Sequence, residues 1–132
     1  MRFYIASGLE NIDRVKTVIG TLTEKGHEIT HDWTLHGDVR GEGEETMSSV
    51  ANAEAFAVIS SDCVILMLPG GRGTHTELGL ALASRSNKRI ILWSETGDEF
   101  GGGEKTCGFY HHSAIERLCC SFDQLLDYVK EL

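Results

Sequence analysis

A chain of 132 residues with a formal charge of −8, 41% hydrophobic and 24% charged residues has the size and composition of one globular domain, not of a disordered segment. At that length it buries roughly two thirds of its unfolded surface, so no disulfide or metal staple is required. Lys and Arg are scattered through the sequence and form no run, which excludes nucleic acid as the expected partner and favours a small molecule, including an anion held locally by oriented N–H groups and an arginine.

In chain order, Phe3 to Ala6 reads as a short apolar strand ending at Ser7-Gly8. The segment from Met1 is too short for a signal-peptide core, and no stretch has the length of a membrane span. Ile12, Val15, Val18, Ile19 and Leu22 recur at helical spacing, with Gly26 as the C-terminal stop. Glu28 to His31 reads as a second strand, and Thr34 to Glu45, with Gly37, Gly41 and Gly43, as an exposed loop. Met47 to Ser60 is the second predicted helix.

Cys63 to Leu68 is an unbroken apolar run between Asp62 and Pro69, the pattern of a central parallel strand covered on both faces. Pro69-Gly70-Gly71-Arg72-Gly73 is a turn leading into a helix from Thr74 to Ser86. Arg89 to Trp93 is a further buried strand, Gly97 to Gly108 a glycine-rich loop, and Ile115 to Cys119 an edge strand. Ser121 to Leu132 is an amphipathic helix opened by a Ser121/Gln124 capping box. The alternation predicts a single α/β domain over residues 1–132, Rossmann-like or flavodoxin-like, with three layers, about five mostly parallel strands and helices on both faces.

In such sheets ligands sit beyond the carboxyl ends of the strands, which directs attention to Ser7-Gly8-Leu9-Glu10-Asn11, to Pro69 through Glu77, including Gly70-Gly71-Arg72-Gly73-Thr74, and to Ser94 onward. Glycines permit close backbone approach, a helix start favours an anion, and Arg72 adds a bidentate donor. The turn is neither a Walker A loop, having no lysine, nor a G-x-G-x-x-G dinucleotide loop. ATP hydrolysis and nicotinamide redox chemistry are therefore disfavoured and no cofactor is expected. Glu77 has two readings: the distal half of a Thr74-x-x-Glu77 capping box, or a carboxylate one turn inside the mouth of the site. The four cysteines read as free thiols of a reducing cytoplasm. C-x3-H-H-x6-C-C over Cys107 to Cys120 fits no zinc pattern, and no metal site is expected. Trp33 and Trp93 lie at strand ends, where a ring can stack on a base, but core packing is the favoured reading for either.

Tyr4-x-x-x-Gly8, Asp62 before an apolar strand, and Gly73-Thr74-x-x-Glu77-Leu78-Gly79-x-Ala81 together resemble the nucleoside 2-deoxyribosyltransferase family, including the 2′-deoxynucleoside 5′-monophosphate N-glycosidases. Pro69-Gly70-Gly71-x-Gly73-Thr74-x-x-Glu77 also resembles the PGGxGTxxE motif of the cytokinin-activating phosphoribohydrolases, whose further GGGxxGLMG segment this chain lacks. The likeness spans roughly residues 3 to 93. It implies cleavage or transfer at the N-glycosidic bond of a nucleoside or nucleotide, with Glu77 as nucleophile at the anomeric carbon, Tyr4 beside it, and Asp62 assisting the base. It further implies that Ser7 and Gly8 hold sugar or phosphate, and that the protein is a homodimer. For Asp62, a plain turn residue is the competing reading. The transferases carry an acid six residues before the glutamate where this chain has Gly71. That leans toward hydrolysis and keeps open a non-catalytic nucleotide-binding module.

Overall fold

The computed structural model describes residues 1–132. Strand β1 (Arg2–Ser7) is followed by α1 (Ile12–Glu24), β2 (Glu28–Ile29), α2 (Glu44–Ser60), β3 (Cys63–Met67), α3 (Arg72–Ala83), β4 (Arg89–Ser94), β5 (Ile115–Cys119) and α4 (Phe122–Lys130). The five strands form one sheet in the order β2-β1-β3-β4-β5, every pair parallel. Helix α1 packs against α4 and α2 against α3, which places one helix pair on each face and gives the expected α/β three-layer fold.

Local chemistry accounts for most boundaries. Helix α1 ends where Gly26, at φ 86°, closes a Schellman motif: Gly26 N–H donates to Thr23 O at 2.9 Å and His27 N–H to Leu22 O at 3.1 Å. Helix α4 starts at the expected capping box, with Gln124 N–H donating to Ser121 Oγ at 3.2 Å and Ser121 N–H to Gln124 Oε1 at 3.0 Å. All five residues of β3 are buried, as an uninterrupted apolar run between two helical layers requires.

Three boundaries differ from the sequence reading. Strand β2 is only two residues long, because the chain turns away after Thr30, whose N–H donates to Phe3 O at 2.9 Å. Helix α2 begins at Glu44, where Glu44 and Glu45 place negative charge at the positive end of the helix. Helix α3 begins at Arg72, with Gly71 as N-cap. Thr74 is therefore the third helical residue, and its Oγ1 accepts from Gly71 N–H at 3.3 Å. The Thr74/Glu77 capping box does not form, and that correction frees Glu77 from any capping role.

Candidate active site

The order β2-β1-β3 makes the connections leaving β1 and β3 depart to opposite faces, which opens a crevice at their carboxyl ends. A cleft of about 680 Å³ lies there, between Ser7–Glu10 after β1, Gly70–Thr74 after β3, and Trp33, Met47, Val50 and Glu54 on the α2 side. Gly8 N–H donates to Pro69 O at 3.1 Å, which fixes the two loops to each other. Ser7 Oγ donates to Met67 O at 2.6 Å, and Asn11 Nδ2 donates to Ser7 Oγ at 3.0 Å and to Leu68 O at 3.2 Å. Ser7 thus spends its hydroxyl proton on tying β1 to β3. Asn11, buried at 6% exposure, completes this brace; the sequence places it in the segment after β1 but carries no sign of its bracing role.

Glu77 projects from α3 into the cleft and is 7% exposed. The wholly buried Tyr4 donates its hydroxyl to Glu77 Oε2. Burial pushes the Glu77 carboxyl up to about 8; the Tyr4 hydrogen bond opposes that shift, and the like charge of Glu54 adds to it. Burial, then the Glu77 charge, drives the Tyr4 phenol far upward, so Tyr4 stays a proton donor across the working range. A carboxylate in a partly desolvated cleft, aimed by a permanent donor, can face a developing sugar cation.

One turn before Glu77 on the same helix, the first-turn amides of α3 lack intrahelical acceptors. The exposed Arg72 begins that helix and enters no ion pair. A methyl group on Gly70 would meet Thr74 Cγ2 at 2.5 Å, so the bare turn packs directly on the helix. Gly70, Gly71, Arg72, Gly73 and Thr74 therefore form one continuous lip, with N–H groups and a cation suited to an oxyanion.

Asp62 is not part of this site. It precedes β3, at the amino edge of the sheet, where it accepts from Arg2 N–H at 2.8 Å and pairs with Arg2 Nη2 at 3.6 Å. The strand between it and the cleft spans about 16 Å, beyond the reach of any side chain. Its carboxyl is held below the usual range by the Arg2 backbone hydrogen bond first, and then by the Arg2 charge. The second carboxylate that meets Glu77 is Glu54 of α2, which lines the same cleft.

Trp93 is fully buried, with Nε1 donating to Cys120 O at 2.9 Å. Trp33 is core and cleft wall at once: Nε1 donates to Ile5 O at 2.7 Å while the ring lines the cavity. The four cysteines are free. His111 meets Thr106 and Arg117, and His112 Nδ1 accepts from Ala114 N–H, so both organise their own loop.

Replacing Tyr4 by Phe removes the one interaction that lowers the Glu77 proton affinity. We expect any activity that needs ionised Glu77 to show its rising pH limb at higher pH in Tyr4→Phe than in the parent. A pH–rate profile with an unmoved limb contradicts the role given to the Tyr4 hydroxyl.

No protein-family model matches the chain, and no curated protein matches it. Solved structures do. A CMP N-glycosidase of Clostridium botulinum, BcmB, aligns over 100% of both chains with a TM-score of 0.69 and 21% identity. The solution structure of BlsM aligns over 98% of this chain and 86% of that one, with a TM-score of 0.72 and 18% identity. A conserved protein of Enterococcus faecalis V583 aligns over 99% and 98%, with a TM-score of 0.55 and 16% identity. At these identities the likeness establishes the fold.

Proposed function

We propose that this protein hydrolyses the N-glycosidic bond of a nucleoside 5′-monophosphate, as a relative of the nucleoside 2-deoxyribosyltransferases. The observation that carries the proposal is the buried Glu77–Tyr4 pair opening into a cleft whose lip, one turn earlier in α3, is a bare helix N-terminus with Arg72. The sugar lies over Glu77 and the 5′-phosphate on the Gly70–Thr74 lip. The Glu77 carboxylate attacks the anomeric carbon as the bonding pair of the glycosidic bond leaves with the base, which takes a proton from solvent. Water then hydrolyses the glycosyl ester, restoring Glu77 and releasing the sugar 5-phosphate. That BcmB, of the same fold, is a CMP N-glycosidase supports the reaction class.

Ionised Glu77 is the reactive form and its carboxyl titrates near 8, so the rate should rise as pH climbs toward that value. Side chains at and beside the cleft support two further assignments. Trp33 of the wall offers an aromatic edge to a base. Away from the cleft, Phe56 and Ile59, exposed on α2, support a homodimer built through that helix, and sedimentation showing monomer alone at assay concentration contradicts it. No helix is long and apolar enough to cross a membrane. The four free thiols support a reducing, cytoplasmic setting.

The phosphate assignment has its own test. By calorimetry, a nucleoside 5′-monophosphate should bind at least about tenfold more tightly than its nucleoside, and Arg72→Ala should remove most of that difference. Equal affinities for the two ligands in the parent protein rule out a phosphate subsite.

A further inference from the structure

A second group of side chains joins two histidines that take no part in the reaction above to Glu54, the carboxylate of the cleft wall that meets Glu77. His31 follows β2, His36 closes the 3-10 turn Trp33–Leu35, and Glu54 lies in α2. One ligand atom from each lies within 4.8 Å of the others. His31 Nε2 and His36 Nε2 are 2.9 Å apart, and His36 Nε2 is 3.6 Å from Glu54 Oε1. Two ligands on a tetrahedral ion at ordinary bond lengths are separated by about 3.3 Å, so these spacings straddle what an ion requires.

A separate contact orients the central ligand. His36 Nδ1 lies 2.8 Å from Gly37 O, an acceptor only, so Nδ1 carries the proton and donates it there. In the neutral ring that leaves Nε2 as a lone pair directed at His31 and Glu54. This is the outer-shell arrangement that metal-bound histidines use to fix tautomer and ring direction. All three side chains are half-buried, sheltered yet reachable by an ion from solvent.

We propose that His31, His36 and Glu54 form a binding site for a borderline transition-metal ion, of which Zn2+ is the representative. Two imidazoles and one carboxylate select such an ion over Mg2+ or Ca2+, which prefer oxygen. Three protein ligands leave one tetrahedral position for water. The ion would fasten the β2–α2 connection, which carries Trp33, to α2, which carries Glu54, and so stiffen one wall of the cleft. Without an ion, the same contacts are satisfied by a protonated His36 paired with Glu54, which is the rival reading.

The experiment uses the full chain without an affinity tag, freed of metal by a chelator and titrated with ZnCl2 in a calorimeter. CoCl2 serves as an optical probe and MgCl2 as a control. The expected result is one equivalent of Zn2+, visible absorption of tetrahedral Co2+, no response to Mg2+, and a melting temperature that rises with free Zn2+. His31→Ala and His36→Ala should each weaken Zn2+ binding at least about tenfold, while His27→Ala and His111→Ala should not. Melting temperatures measured in chelator show whether each variant is folded. Independently of any variant, histidine ring NMR signals of the parent should move first at His31 and His36. Absence of saturable binding, or one equivalent retained undiminished by the His31→Ala/His36→Ala double variant, overturns the site and leaves an ion pair.

Discussion

Glu77→Gln should release free base at least about a hundredfold more slowly than the parent while remaining folded. Glutamine keeps the shape of the side chain, and its amide oxygen still accepts from Tyr4 O–H. What disappears is the negative charge and the nucleophilic oxygen. Because Glu77 caps nothing in α3, the substitution costs no helix-start hydrogen bond.

The same variant carries a stability signature of known sign. The folded-state proton affinity of Glu77 is raised, to about 8. Its contribution to stability is therefore complete below the ordinary carboxylate range and is lost as pH rises through about 8. A glutamine at this position does not titrate and has no such loss. In chelator-treated protein, the melting temperature of Glu77→Gln relative to the parent should climb between pH 5 and pH 8, by several degrees if the difference reaches about 1 kcal/mol. Base release at the parental rate removes the carboxylate from the mechanism. A melting difference that is flat with pH removes its perturbed titration.

Gly8→Ala should be nearly as damaging, for a steric reason alone. Gly8 sits at φ −72° and ψ 160°, which alanine adopts without strain. Its added methyl, however, would stand 2.8 Å from Pro69 O and from the Glu10 carboxylate. The Glu10 side chain can swing aside; the Pro69 carbonyl belongs to the opposite loop and accepts the Gly8 N–H. The loops must part, at a cost of about 1–3 kcal/mol. Since Gly70 to Thr74 follow directly, a displacement of order 1 Å there should cost about a hundredfold in kcat/KM. Gly20→Ala is the matched control: nothing lies within 4 Å of its methyl, and in mid-α1 it should stabilise by about 0.5–1 kcal/mol. A Gly8→Ala enzyme with the parental rate contradicts the close loop packing on which the cleft depends.

Much of this is legible in the sequence because the signals are local. The apolar run of β3, the glycine turn after it, the Gly26 stop and the Ser121/Gln124 box each declare themselves within a few residues. The mouth of the site follows from topology, since any α/β alternation sends ligands to the carboxyl ends of strands. Hydrophobic periodicity puts the start of α2 at Met47 because the first turn of that helix is wholly polar. Asp62 is close to β3 in sequence, yet a residue preceding a parallel strand stands at the opposite edge from the cleft. Glu54 carries no signal at all: it is one acid in an alanine-rich helix, and only the packing of α2 over β1 and against α3 brings it to Glu77. His31 and His36 are hidden for the same reason, since their partner arrives from the next helix.

The central claim is tested most directly by incubating the metal-free parent protein with the ribo- and deoxyribonucleoside 5′-monophosphates of each common base. Free base and sugar 5-phosphate are then separated by chromatography. The account predicts stoichiometric release of both products from at least one nucleotide, no release from the matching nucleoside at equal concentration, and no release above background by Glu77→Gln. Tight binding of a 5′-monophosphate with no base liberated, under conditions where the protein is folded and Glu77 is ionised, would contradict it and leave a nucleotide-binding module without catalysis.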